Sequence, residues 1–296
     1  MATRQTVPNP VVYLNYLETN TASQYEVTRN VYLVTLGALI WDILSNLEQD
    51  WQLLCTSKPS PVLIAYHVSR WGNFITILLC VLGYTGPIAA HCQTTQYVIS
   101  AFCFVASAAT DFLFLARVRA VYYDNKRVCF AFIFLWVVDV GVLSLVFTGF
   151  RANEIADTRH CMNDSQNKWE AAAMLMPLFF DTMVYIFITI RLISTRNPNE
   201  KKITWKTVFS GKSLPRMSRA VMRGGQQYYL IAMCCSVTMT ICWLTPSVPV
   251  VAKASSDIPA IALTSSMACR IYRNLRLQLL EDEVECGDSS VDACCR

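Results

Sequence analysis

The sequence predicts an all-α protein of the polytopic membrane class, a bundle of seven transmembrane helices with its N-terminus outside and its C-terminus in the cytosol. Three observations favour this fold. Hydrophobic residues make up 54% of the 296 residues and charged residues only 16%, whereas a soluble domain carries about 25% charged residues. The charges lie in the gaps between long apolar windows, and Lys and Arg are concentrated in alternate gaps.

Six windows supply the roughly 20 apolar residues that one helix needs to cross a bilayer. They are Val27–Leu47, Val62–Tyr84, Tyr97–Leu115, Val128–Phe150, Trp169–Ile193 and Tyr228–Leu244. Together with a weaker seventh window, they divide the chain into an extracytoplasmic tail (1–26), a transmembrane domain (27–276) and an acidic, cysteine-containing cytosolic tail (277–296).

The seventh window, Val248–Ile271, is interrupted by Lys253, Asp257 and Pro259. Proline is tolerated in spanning helices, so it does not exclude a span. With six spans, the basic cluster that begins at Arg270 would lie outside, against the positive-inside rule. We therefore expect seven spans.

Orientation follows from the basic residues of the loops. With seven spans, sixteen Lys and Arg residues fall on the face that holds the C-terminal tail, and six fall on the other face. The most basic loop, 194–225, lies on the richer face. We expect that face to be cytosolic.

Two short polar loops on the opposite face each contain a His-Cys pair. Cys92 and Cys161 are the two cysteines that we place at the outer surface, where an oxidising lumen allows disulfides. We predict a bridge between them, with two free thiols as the alternative. A metal site that also uses His91 and His160 is disfavoured, because adjacent His and Cys side chains cannot easily face one ion. No metal or cofactor is expected, and the triplet that begins at Asn163 is a glycosylation signal.

Ionisable residues inside a bilayer are costly, so each one is a candidate for function or for helix pairing. Asp42, Arg70 and Asp111 fall in the cytosolic half of helices 1, 2 and 3. Because Arg keeps its charge, we predict that Arg70 pairs with Asp42, Asp111 or both. The alternative is that Arg70 extends to the interface and needs no partner.

Asp139 and Asp181 fall near the middle of helices 4 and 5, and Lys253 falls near the outer end of helix 7. They are candidates for a ligand, ion or proton site. The alternative is structural, with inward-facing groups that pair to hold the helices together.

The basic cytosolic residues are candidates for contact with anionic lipid or with a signalling protein. They are Arg117, Arg119, Lys201, Lys202, Lys206, Lys212, Arg216, Arg219 and Arg223. In the tail, Cys286, Cys294 and Cys295 are either acylated or free thiols.

Six short motifs, in this order and spacing, resemble a family of fungal, mainly basidiomycete, seven-helix membrane proteins that carry an N-terminal domain of unknown function. They are "IWDILSNLEQDWQLL" with Trp41, Asp42, Glu48 and Trp51; "SRWGN" with Arg70 and Trp71; "LARVRAVYYDNKRV" with Arg117 and Tyr122; "LFFDTMVYIF" with Phe180 and Asp181; "VMRGGQQYYL"; and "ACRIYRNLR" with Arg270 and Arg276. Arg119 and Gly224 depart from the family pattern. The resemblance implies the seven-helix architecture and no established activity.

Three functions remain open. The first is a receptor-like sensor whose basic loop contacts lipid or a signalling partner, and the plan of the chain is similar to that of G-protein-coupled receptors. The second is a carrier or channel that uses Asp139, Asp181 and Lys253. The third is a non-catalytic structural protein.

We expect no enzyme, because the chain has three His residues and neither a nucleotide-binding loop nor a nucleophile elbow. We expect no nucleic-acid partner. The predicted location is the plasma membrane or another membrane of the secretory pathway.

Overall fold

The computed structural model describes residues 13–57, 59–86, 92–155, 160–166, 170–196, 216–245 and 250–294. A 3-10 turn at Tyr13–Tyr16 precedes the first helix. The helices are α1 Thr19–Ser45, α2 Leu47–Thr56, α3 Pro61–Thr85, α4 Cys92–Val121, α5 Lys126–Leu143, α6 Val146–Gly149, α7 Glu170–Arg196, α8 Arg216–Leu244 and α9 Val250–Cys294. Two strands, β1 Phe150–Glu154 and β2 Cys161–Gln166, form an antiparallel hairpin between α6 and α7.

Four stretches are long and apolar enough to cross a membrane: Thr19–Ser45, Pro61–Thr85, Cys92–Val121 and Lys126–Thr148. A shorter apolar stretch, Leu230–Leu244, follows in α8. The protein is therefore a helical membrane protein. Large apolar side chains point outward along α1 and α5, as expected of a surface that faces lipid. They include Val34, Trp41, Leu44, Phe130, Phe134 and Val137.

Helix α4 lies inside the bundle and packs against α3, α5, α7 and α9. The approach to α3 is close: a Cβ added to Gly72 would lie 2.9 Å from the Cβ of Ala106. Small residues let two helices approach closely in a membrane, where packing drives association. Hydroxyl groups also join these helices, because the Ser69 Oγ lies 2.7 Å from the Thr110 Oγ1 and 2.9 Å from the Ser265 Oγ of α9.

Local signals explain two of the helix boundaries. Pro61 occupies the first turn of α3, and the Ser60 hydroxyl accepts a hydrogen bond from the Leu63 N–H at 3.2 Å. Asn46 separates α1 from α2, and its side-chain amide donates to the Asp42 carbonyl at 2.6 Å. The break allows α2 to change direction and to contact α9.

The structure differs from the sequence expectations at four places. Helix α1 begins at Thr19, inside the segment predicted as a tail. The window Val128–Phe150 is divided into α5, α6 and the start of β1. Helix α9 continues past the predicted end of the transmembrane domain and through the acidic tail as far as Cys294. The hairpin was not predicted either, because its strands are short and polar.

Candidate functional site

The hairpin closes one end of the bundle, which we call the hairpin end. The predicted bridge is present: Cys92 at the start of α4 is bonded to Cys161 at the start of β2, with Cα atoms 5.6 Å apart. The Ala152 N–H donates to the Gln93 Oε1 at 3.1 Å, and the Tyr25 hydroxyl donates to the Cys161 carbonyl at 3.4 Å. The hairpin is thus held to both α4 and α1.

A cavity of about 110 Å³ lies beneath this hairpin, and we call it the hairpin cavity. Its wall is mostly apolar, with polar groups from Tyr32, Gln96 and Asp257. The rings of Tyr32 and Tyr84 meet edge to face with centroids 5.1 Å apart. An apolar cavity with a few polar groups is the usual form of a small-molecule site.

Asp257 is held by the helix next to it, since the indole N–H of Trp243 donates a hydrogen bond to its Oδ1. Lys253 lies one turn away, and its Nζ donates to the Trp243 carbonyl at 3.1 Å. Lys253 therefore caps the end of α8, and its role in a site with Asp139 and Asp181 stays a prediction. Asp257 was read from sequence as an interruption of helix 7, whereas the structure places it in the cavity wall.

Deeper in the bundle, Asp111 of α4, Asp139 of α5 and Asp181 of α7 form a group that we call the carboxyl cluster. They are 5%, 0% and 6% exposed. Asp111 lies close enough to interact electrostatically with both other carboxyl groups, and it faces Asp139 at hydrogen-bonding range. Asp139 and Asp181 were candidates for one site, and both lie close to Asp111. Asp111 itself was predicted to pair with Arg70.

Within the described residues, no Lys, Arg or His forms an ion pair with the cluster. Both carboxylate oxygens of Asp139 and the Oδ1 of Asp181 are buried without a hydrogen-bond donor in that part of the chain. Two like charges about 5 Å apart repel by roughly 3 kcal/mol at an effective dielectric constant of about 20. Three bare carboxylates therefore cannot persist here without bound protons or a cation.

A second cavity, of about 100 Å³, lies against this cluster, and we call it the carboxyl cavity. Asp111 and Asp181 line it together with hydroxyl side chains of α4, α8 and α9. It shares Cys103, Val146 and Ile261 with the hairpin cavity, so the two cavities adjoin.

At the opposite end, Asp42, Asn46, Asp50, Tyr66, Arg70 and Arg273 form a group that we call the arginine network. The Arg70 Nε lies 3.0 Å from the Asp50 Oδ2, and its Nη1 lies 3.5 Å from the Asp42 Oδ2. The Nε–H of Arg70 is not aligned with a hydrogen-bond acceptor, so its contact with Asp50 is an ion pair without hydrogen-bond geometry. Asp42 is thus a partner of Arg70, and Asp111 is not, because it faces the carboxyl cluster.

Arg273 of α9 completes the network. Its Nη1 lies 3.3 Å from the Asp50 Oδ1, and its Nη2 donates to the Asn46 Oδ1 at 2.7 Å. The Tyr66 hydroxyl also donates to Asp50. Arg70, Arg273 and Asp50 are 4%, 2% and 8% exposed. Sequence reasoning missed Asp50 and Arg273 as partners, and the one available signal was an acidic residue in a short amphipathic helix.

Four of the nine predicted basic residues lie outside the described residues, namely Lys201, Lys202, Lys206 and Lys212. For Arg216, Arg219 and Arg223 the structure describes the backbone of α8. Arg119 is exposed at the end of α4, and Arg117 is partly buried. Their role in partner contact stays a prediction.

Asn163 lies in β2, where it is paired with Ala152 of β1. Burial lowers the pKa of the nearby His160 imidazole, so this side chain is neutral at pH 7. Among the described residues, no three His, Cys, Asp or Glu side chains are placed to hold a metal ion, and His91 lies outside them.

No protein-family model matches the chain, and no curated protein matches it either.

Proposed function

We propose that this membrane protein is a receptor-like sensor whose ligand site is the hairpin cavity. The observation that carries the proposal is a cavity closed by a disulfide-anchored hairpin and lined by Tyr32, Tyr84 and Asp257. A ligand there would touch α1, α3, α4 and α9 together. Such a ligand shifts the equilibrium between conformations by its differential affinity for them.

The size and lining of the cavity limit the ligand. Engineered cavities of about 150 Å³ bind benzene, so about 110 Å³ suits a compact molecule of single-ring size. The wall offers apolar contacts from Ile99, Ile258 and Ile261, while Asp257 and Gln96 supply polar contacts. The favoured ligand is therefore a small apolar or aromatic compound with one polar group.

The proposal includes seven spans, an extracytoplasmic N-terminus and a cytosolic loop 194–225 that contacts anionic lipid or a signalling protein. The Lys and Arg bias supports this orientation. Membership of the fungal seven-helix family is supported by the six motifs, and a plasma or secretory-pathway membrane location fits the bridged cysteines. A non-enzymatic role fits the catalytic motifs that are missing from the sequence.

A pair of glycine variants tests the ligand site. Gly83 lines the hairpin cavity, and a Cβ added there would meet no atom within 4 Å. Gly37 of α1 is equally open but lies outside the cavity. Phenol and benzylamine would serve as a neutral and a cationic single-ring probe, and binding would be measured as thermal stabilisation of the full chain in lipid nanodiscs.

At least one probe should stabilise the natural protein and Gly37→Leu, but not Gly83→Leu, in which the new side chain fills the cavity. Equal stabilisation of both variants would place the probe elsewhere. Failure of both probes to stabilise the natural protein would reject this cavity as the site.

A carrier or channel remains the second candidate, because the carboxyl cluster carries three acidic groups without a basic partner in the described residues. Cation flux into liposomes that Asp181→Asn abolishes would favour it. A non-catalytic structural role is the third, and it would be favoured if neither flux nor ligand stabilisation were observed.

A further inference from the structure

The carboxyl cavity has the lining of a cation site without a cationic side chain. Asp111 and Asp181 come from α4 and α7, and each is more than nine-tenths buried. The Oδ1 of Asp181 has no donor among the described residues, although it belongs to a residue that lines the cavity. A buried carboxylate oxygen of this kind must be neutralised by a proton, a hydrogen-bond donor or a cation.

A second observation concerns the hydroxyl oxygens around the same cavity. They belong to Ser107, Thr110, Ser236, Thr240 and Thr264. The Thr240 hydroxyl donates its hydrogen to the Ser236 carbonyl at 2.8 Å. Because its hydrogen is used, its oxygen lone pairs remain available as ligands.

We propose that the carboxyl cavity binds a small monovalent cation, with Na⁺ the best fit, between Asp111 and Asp181 and the surrounding hydroxyl oxygens. Hard cations take carboxylate, carbonyl and hydroxyl oxygens as ligands. The described residues contain no group of three metal-ligating side chains suited to a multivalent metal. When Asp111 shares a proton with Asp139, Asp181 is the one full carboxylate that lines the cavity, and it matches a single positive charge.

The charge of the cluster agrees with this stoichiometry. One cation and one proton together reduce the formal charge of Asp111, Asp139 and Asp181 from −3 to −1. The facing pair Asp111 and Asp139 can share that proton, which leaves Asp181 as the full carboxylate beside the cation. The inference holds for a sensor or a carrier, since it concerns binding alone.

Thermal unfolding of the full chain in phosphatidylcholine nanodiscs tests the proposal. NaCl would be varied from 1 to 150 mM, with choline chloride added to hold the ionic strength constant. Since a ligand that binds only the folded state stabilises it by mass action, Tm should rise by about 3–5 °C with Na⁺ and stay constant with choline. The same Tm at every Na⁺ concentration would overturn the proposal, and so would a Tm that responds to pH alone, which would show that protons alone occupy the cluster.

Asp181→Asn should abolish the Na⁺ response and raise Tm in choline. Thr240→Val, which removes one oxygen with little change in volume, should reduce the response and serves if Asp181→Asn does not fold. Asp124→Asn is the control, because this exposed carboxylate does not line the cavity and pairs with Arg191. A Na⁺ response that Asp181→Asn and Thr240→Val both retain would place the cation elsewhere. The Na⁺ titration uses no single-ring probe. The cation proposal and the ligand-site proposal are therefore tested independently, and either can be rejected without the other.

Discussion

Two buried polar regions of this protein handle charge in opposite ways. The arginine network contains two Asp and two Arg side chains, and its formal charge sums to zero. The carboxyl cluster contains three Asp side chains and no ion-pair partner in the described residues. The carboxyl cluster is almost wholly buried, and so are Asp50, Arg70 and Arg273 at the centre of the arginine network, although Asp42 is 29% exposed. The difference between the two centres therefore lies in how their charge is neutralised.

The comparison separates a structural role from a functional one. In the arginine network, Asp50 of α2 holds Arg70 of α3 and Arg273 of α9, so it connects three helices. The carboxyl cluster connects α4, α5 and α7 but lacks the countercharge that would make it favourable. Buried groups that are left uncompensated mark functional sites more often than paired groups do.

The largest expected effect is at the centre of the arginine network. Asp50→Asn would leave Arg273 with a buried charge and would remove one of two carboxylates from Arg70. Removing one partner of a buried ion pair costs about 3–5 kcal/mol, so the free energy of unfolding should fall by about that amount. Chemical unfolding in detergent measures the change. Glu48→Gln, an exposed residue of the same helix, is the control, and an equal loss in that variant would show a general effect of charge on α2.

A comparable loss in the free energy of unfolding is expected when the disulfide at the hairpin end is removed. Replacing Cys92 and Cys161 together by Ser removes a disulfide between residues 69 positions apart. The chain-entropy model predicts that closing a loop of this length stabilises the folded state by about 4 kcal/mol. The arginine network should be unaffected, so the loss should add to that of Asp50→Asn. Unfolding of the combined variant would test additivity. Peptide mapping that finds both thiols free in the natural folded protein would contradict the bridge itself.

A smaller effect is expected in the coupling between Arg70 and its partners. Arg70→Met and Asp50→Asn touch the same ion pair, so their double-mutant cycle should give about 1–3 kcal/mol of coupling. The matched cycle of Arg70→Met with Asp111→Asn should give less than about 0.5 kcal/mol, because Asp111 faces the carboxyl cluster. Equal coupling in the two cycles would join the regions that we describe as separate.

The smallest effect is expected at the surface. Asp124 and Arg191 form an ion pair with 3.3 Å between Oδ2 and Nη2, and the Asp124 side chain is 79% exposed. Exposed pairs contribute about 0–1 kcal/mol. Asp124→Asn should therefore change the free energy of unfolding by less than about 1 kcal/mol, and this difference should shrink as salt is raised. A loss as large as that of Asp50→Asn would undermine the distinction by burial.

Sequence patterns could predict the helical membrane class, the bridged cysteines and the burial of Asp139 and Asp181. These features depend on composition, on local hydropathy or on which face a loop occupies. Partners could not be predicted in the same way. Asp50 and Arg273 are 223 positions apart, and no local sequence pattern specifies that α2 packs against α9.

Asp111 shows the same limit. Its predicted depth in the membrane, in the cytosolic half of its helix, suited a pair with Arg70. In the structure its side chain instead faces Asp139 of α5 and Asp181 of α7. Periodicity gives the approximate depth of a residue along a helix, whereas packing against neighbouring helices decides which way it faces. Asp257 was missed because one acidic residue in a weak apolar window looks like an interruption of the helix.

The sign of the change in unfolding free energy caused by Asp139→Asn tests the contrast between the two regions most directly. Asp139→Asn removes a charge from the carboxyl cluster and supplies an amide donor to Asp111, so the free energy of unfolding should rise by about 1 kcal/mol. Asp50→Asn, measured beside it in the same detergent at pH 7, should lower that free energy. Opposite signs are the result that our account predicts. A loss of several kcal/mol in both variants would contradict it, because Asp139 would then be a structural partner like Asp50.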